Sequence, residues 1–208
     1  MGNHTYAEKT NRGFFSTRFI KLFRGFFLPI SRALRWAGVT PNMVTFISLV
    51  LGMLTGVFLG LNMIYIGLTF GVIMGFSDII DGQMAKEFGG ATKFGEVFDS
   101  TIDRFNEFFI FAGLGVRYFF LGRPAWIVLC AFAFLGSAMI SYVRARAEAV
   151  GFDCKVGFLQ RPERMALIGI CALFGSIGID VLVVFLAFST QVTVITRLLH
   201  VYHQGRNE

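Results

Sequence analysis

The chain has 208 residues, 55% of them hydrophobic and 26 of them Phe, with a formal net charge of +6 and a mean hydropathy of +0.65. That is too apolar for an ordinary soluble domain and long enough for several spans of ~20 residues, so the composition points to a polytopic membrane protein. Cys130, Cys154 and Cys171 form no CxxC and no metal-ligand spacing, and their odd number argues against a disulfide framework.

Residues 1–13 are polar and match neither a cleavable signal sequence nor a myristoylation signal, so a mature cytoplasmic end is expected. From Phe14 to Ala37, Arg18, Lys21, Arg24, Arg32 and Arg35 alternate with large apolar residues at helical spacing, and Pro29 is expected to break or kink the run. The pattern predicts an interfacial amphipathic helix on an anionic leaflet, serving as an anchor or as a gate for a lipid substrate.

A first span is predicted from Thr40 to about Asn62, opened by Pro41 at a helix start. Gly52, Gly56 and Gly60 recur every fourth residue in it and allow another helix to approach closely. The second span runs from about Ile64 to Lys86, the third from about Lys93 to Phe120, and the fourth from Pro124 to about Glu148. A fifth apolar run follows RPER and ends near Gly178, and a sixth extends from Asp180 to about His200. The expected fold is therefore all-α, a polytopic six-transmembrane-helix bundle over residues 38–208, preceded by a cytoplasmic tail and juxtamembrane amphipathic helix over residues 1–37.

Sorted by this topology, seventeen of the nineteen Lys and Arg residues fall on one face, leaving only Arg117 and Arg123 opposite. The positive-inside rule then makes both termini cytoplasmic, together with the loop between the second and third spans.

That loop is flanked by charge where apolar spans least tolerate it. Asp78, Asp81, Asp99 and Asp103 lie inside segments that otherwise read as spans, each costing roughly 2.5–3.5 kcal/mol at mid-helix on an insertion scale. Asp78 and Asp81 stand roughly 60° apart on one helix and Asp99 and Asp103 roughly 40° apart on the next, so each pair shares a face. Antiparallel neighbours can turn those faces together. Carboxylates so gathered repel one another unless a cation lies among them, and all-oxygen ligands suit hard divalent ions such as Mg²⁺, Mn²⁺ or Ca²⁺. One or two ions are expected, with two preferred. Gly82, directly after Asp81, and Gly95, one turn before Asp99, leave room for phosphates to approach.

The full pattern, Asp78-x2-Asp81-Gly82-x2-Ala85-Lys86-x8-Gly95-x3-Asp99-x3-Asp103, resembles the signature of the CDP-alcohol phosphotransferases, membrane enzymes of phospholipid synthesis. The chain departs from that signature at Lys86, where the family has Arg, keeping the charge but losing the bidentate fork. The resemblance implies that the four aspartates hold two Mg²⁺ or Mn²⁺ ions and that Asp103 accepts a proton. It also implies donor contacts at Asn42, Thr45, Gly82, Lys86 and Thr92, although helix capping is the ordinary reading of Asn42.

ISYVRARAEA followed by GFLQRPER resembles the members that use inositol phosphate as acceptor, including archaeal ether-lipid enzymes. That likeness implies acceptor-phosphate contacts at Arg144, Arg161 and Arg164, where a plain cytoplasmic loop would also explain the charge. The implied reaction is transfer of the phosphatidyl group from CDP-diacylglycerol to inositol 1-phosphate, releasing CMP, in the cell (inner) membrane with the active site cytoplasmic. The family also implies a homodimer, and no nucleic-acid partner is expected. The alternatives are another acceptor such as glycerol 3-phosphate or serine, an ether-lipid donor, or a transporter of divalent cations or protons. Glu107 extends the Gly95, Asp99, Asp103 stripe and either supports the site or simply pairs with Arg104.

Overall fold

The computed structural model describes residues 17–89, 91–154, 156–157, 167–171 and 173–206, with residues 17–24 described by their backbone alone. Among the described residues there are six long helices, α1 (Thr17–Trp36), α2 (Pro41–Gly60), α3 (Ile64–Glu87), α4 (Lys93–Phe120), α5 (Pro124–Ala149) and α6 (Gly175–Gly205), and residues 167–171 are helical between the last two. No strand occurs among the described residues, whose regular structure is all helical. Four of these helices, α2, α3, α5 and α6, are long and apolar enough to cross a membrane. Their outward faces carry Phe46, Tyr65, Phe132 and Phe188, all more than half exposed. Such a continuous apolar exterior requires lipid rather than water, and the protein is an integral membrane protein.

Local chemistry sets the helix starts. Thr40 caps α2, its hydroxyl accepting from the Met43 amide at 3.4 Å, and Pro41 occupies the first turn where its missing N–H costs nothing. Thr92 caps α4 in the same way, accepting from the Gly95 amide at 2.9 Å. Helix α1 runs through Pro29 without ending, so of the two expected effects, a break or a kink, the break does not occur. Phe27 on α1 is buried against Phe76 of α3, with ring centroids 5.1 Å apart, while Phe26 and Trp36 are exposed.

The stripe of glycines on α2 meets α4. A Cβ on Gly52 would lie 2.1 Å from Asn106 Oδ1, and one on Gly113 would lie 2.1 Å from the Gly56 carbonyl oxygen. The two backbones therefore touch, an approach that only glycine permits at these positions. Below this crossing the core is built from Ile110, Leu114, Ala133, Val183 and Leu186, drawn from α4, α5 and α6.

The turn into α6 falls at Phe174–Gly175 rather than near Gly178, so α6 begins earlier than expected. Gly175 has φ +62, the left-handed conformation that a glycine adopts without penalty. Gly178 has a different task, since a Cβ there would lie 1.8 Å from the Cys171 carbonyl oxygen. The glycine that looked like punctuation is a packing contact.

A charged cluster closes the bundle at the end away from the α3–α4 loop. Asp180 accepts from Tyr118 Oη at 2.7 Å and from Arg123 at 2.8 Å, and lies 3.5 Å from the Arg117 guanidinium. Arg117 also donates to Asn62 Oδ1 at 2.8 Å. Thus Arg117, 3% exposed, is tied to the α2–α3 turn and to α6 at once.

Candidate active site

The α3–α4 hairpin builds the site. Asp78 and Asp81 occupy the last turns of α3, Asp99 and Asp103 the first turns of α4, and the short connection at Phe88–Thr92 brings the two stretches side by side. Carboxylate oxygens of Asp78, Asp99 and Asp103 lie within 4.8 Å of one another. The expected convergence of two neighbouring helices is therefore present. Asp81 stands outside that group: its Oδ2 accepts a hydrogen bond from the Thr45 hydroxyl of α2 at 2.7 Å, and its side chain is buried.

Three carboxylates this close repel one another, and a cation offsets that repulsion. Their ligand atoms are all oxygen, which suits Mg²⁺ or Mn²⁺ better than a thiophilic metal. The residues present fit a hard divalent ion. Asp103 also has the Arg104 guanidinium 4.0 Å away; Arg104 in turn lies 3.7 Å from Glu107 and donates to Ser141 of α5. Glu107 therefore pairs with Arg104 as the ordinary reading supposed, and it accepts in addition from Ser137 at 2.9 Å.

Space beside the acids is preserved by glycine. No atom lies within 4 Å of the position a Cβ on Gly82 would take. Gly95 is narrower, its would-be Cβ 3.0 Å from Thr92 Oγ1 and 3.1 Å from Asn42 Oδ1. The side-chain oxygens of Asn42 on α2 and of Thr92, the cap of α4, thus both lie beside Gly95. Because Thr40 caps α2, Asn42 does not serve as the cap, and its side-chain oxygen lies beside Gly95. Lys86 is exposed one turn beyond Asp81.

Of the basic residues assigned to an acceptor, Arg144 is described. It is exposed near the end of α5 and forms an ion pair with Glu148 at 2.9 Å. Arg161 and Arg164 lie outside the described residues. The loop before them is fastened to α6. Arg197 donates to the Val156 carbonyl at 2.8 Å and to the Ile140 carbonyl, and the Gln204 amide bonds both the N–H and the C=O of Asp153. Sequence reasoning counted Arg197 only among the seventeen basic residues of one face. A single Arg in an otherwise apolar run was the available signal, because such a residue needs acceptors.

A family model for CDP-alcohol phosphatidyltransferases matches residues 38–201. The chain belongs to the CDP-alcohol phosphatidyltransferase family. Among its relatives, a phosphatidylinositol phosphate synthase of Mycolicibacterium smegmatis is 38% identical over 156 residues, covering 72% of this chain and 67% of the relative. A crystal structure of Mycobacterium tuberculosis phosphatidylinositol phosphate synthase with CDP-DAG bound superposes with a TM-score of 0.77 at 29% identity, covering 88% of this chain and 94% of that one. The same mycobacterial enzyme in complex with manganese and citrate also gives 0.77, at 31% identity, covering 84% and 88%.

Proposed function

We propose that this protein transfers the phosphatidyl group of CDP-diacylglycerol to inositol 1-phosphate, forming phosphatidylinositol phosphate and CMP. The observation that carries the reading is the meeting of Asp78, Asp99 and Asp103 oxygens within 4.8 Å, on a chain whose solved relatives include one bound to CDP-DAG and one to manganese.

In this reading Asp78, Asp81, Asp99 and Asp103 hold two Mg²⁺ or Mn²⁺ ions. Such ions, when bound, neutralise the donor pyrophosphate and stabilise charge on the transferred phosphoryl group and on the departing CMP. Asn42, Thr45, Gly82, Lys86 and Thr92 bind the donor, with the open side of Gly82 admitting the nucleotide and the Lys86 ammonium meeting a phosphate as a point charge. Arg144, Arg161 and Arg164 bind the acceptor's phosphate. Asp103 takes the proton of the inositol hydroxyl as its oxygen bonds to the lipid-linked phosphorus and the phosphorus–oxygen bond to CMP breaks.

The finer architecture belongs to the same proposal. Residues 38–208 form a six-span catalytic domain, and residues 1–37 a tail and an interfacial helix. Both termini and the acidic cluster face the cytoplasm of the inner membrane, and the enzyme works as a homodimer. The basic residues before α2 and at the ends of α3, α5 and α6 support that orientation.

Purified protein in nanodiscs, offered CDP-diacylglycerol with radiolabelled inositol 1-phosphate, glycerol 3-phosphate or serine in parallel, tests the reading. Metal-dependent CMP release with label entering lipid only from inositol phosphate is expected, and Asp99→Ala is expected to abolish it. Label entering from another acceptor would replace the substrate, and divalent-ion flux into liposomes without CMP release would replace the enzyme with a transporter.

A further inference from the structure

A buried polar ladder runs from α4 through α2 to the acidic cluster. Asn106 follows Asp103 by three residues on α4, and its Nδ2 donates to Ser48 Oγ on α2 at 3.3 Å. The Ser48 hydroxyl donates to the Thr45 carbonyl at 2.8 Å. Thr45 Oγ1 stands 2.7 Å from Asp81 Oδ2 on α3 and 3.1 Å from the Pro41 carbonyl, so the carboxylate is its closer acceptor. Asn106, Ser48, Thr45 and Asp81 are each at most 5% exposed.

For packing alone this is a poor choice of residues. Asn106 Oδ1 is buried without a hydrogen-bond partner, pressed against Gly52 of α2. A leucine has similar bulk and carries no desolvated carbonyl. What the amide supplies is register. It ties the turn that bears Asp103 to α2, and Thr45 ties the same stretch of α2 to Asp81, so carboxylates on two different helices are referred to one fixed point.

We propose that Asn106 and Ser48 are positioning residues of the acidic site, setting the placement of Asp81 relative to Asp103 without contacting the ion or either substrate. The inference rests on the metal-dependent reading above. Groups that orient metal ligands commonly change metal affinity by about 10-fold or more when removed.

The test compares full-length wild type, Asn106→Leu, Ser48→Ala and the double variant. Two quantities are read: Mn²⁺ binding, from the electron paramagnetic resonance signal of the free ion, and CMP release as Mn²⁺ is raised. Each single variant is expected to weaken Mn²⁺ binding by about 10-fold, the double variant no further, and CMP release to recover at saturating Mn²⁺. Tyr118→Phe, which removes a hydrogen bond to Asp180 at the opposite end, is expected to leave Mn²⁺ affinity unchanged. Unchanged affinity in Asn106→Leu and Ser48→Ala overturns the inference, as does an equal loss in Tyr118→Phe. Should Asn106→Leu fail to fold, Ser48→Ala, which removes one oxygen, decides alone. A wild type that neither binds Mn²⁺ nor releases CMP overturns the underlying reading instead.

Discussion

Lys86 is the residue at which the chain departs from the pattern it otherwise follows. A lysine ammonium meets a phosphate as a flexible point charge, whereas a guanidinium grips two oxygens with a rigid planar fork. The side chain is exposed on the last turn of α3, so nothing packed around it forbids the larger group. Lys86→Arg is therefore expected to tighten donor binding by about 1 kcal/mol, or roughly fivefold in KM for CDP-diacylglycerol, with kcat little changed. Steady-state kinetics with the acceptor saturating measures this. A higher donor KM would mean that the site has been reshaped around lysine, and Lys86 would then be a specificity feature of this chain rather than a weaker substitute.

At the scale of helices, the spacing of apolar runs and the punctuation by Pro41, Thr92 and Pro124 made α2 to α5 legible to within a few residues. The hairpin was legible too, since four aspartates inside apolar helices have few ways to be tolerated. Partner choice was not. A glycine stripe announces a close approach without naming its partner, and only the fold shows that Gly56 meets Gly113 of α4. Asn106 read as an ordinary residue of an apolar span, and Thr45, marked as a donor contact, was not linked to Asp81, because a hydrogen bond across 36 or 58 positions leaves no local trace. The turn before α6 was misplaced for the same reason, one glycine there supplying backbone freedom and another supplying proximity.

Glycines of the two kinds should respond oppositely to the same change. A methyl group on Gly113 would collide with the Gly56 backbone, which cannot move aside as a side chain can. Gly113→Ala is expected to cost about 1–3 kcal/mol through overpacking, seen as a lower Tm in detergent. Gly82→Ala meets open space and is expected to keep the wild-type Tm while raising the donor KM. Thermal unfolding and kinetics on the same preparations separate the two, and a destabilised Gly82→Ala would remove the case for a donor cavity beside Asp81.

Across the whole molecule, acids inside the bundle meet two different fates. Asp180, at the end away from the hairpin, is engaged by Tyr118, Arg123 and Arg117, so the fold itself answers its charge with two guanidinium groups. At the hairpin the fold brings three carboxylates within 4.8 Å of one another, with the Arg104 guanidinium 4.0 Å from Asp103. Carboxylates are thus gathered at the end where the reaction is proposed, and the opposite end serves as a clamp joining the α2–α3 turn, α4, the residue that precedes α5, and α6. Asp180→Asn keeps the shape of the side chain but leaves Arg117, almost wholly buried, without its counter-charge. Breaking a buried pair from one side costs about 3 kcal/mol or more, so a clearly lower Tm is expected. Below that Tm, Mn²⁺ affinity and CMP release per folded molecule are expected to match wild type, because the hairpin is fastened to α2 by its own contacts. A normal Tm with lost turnover would reverse the assignment, making the distal cluster part of the reaction and the division of labour between the two ends untenable.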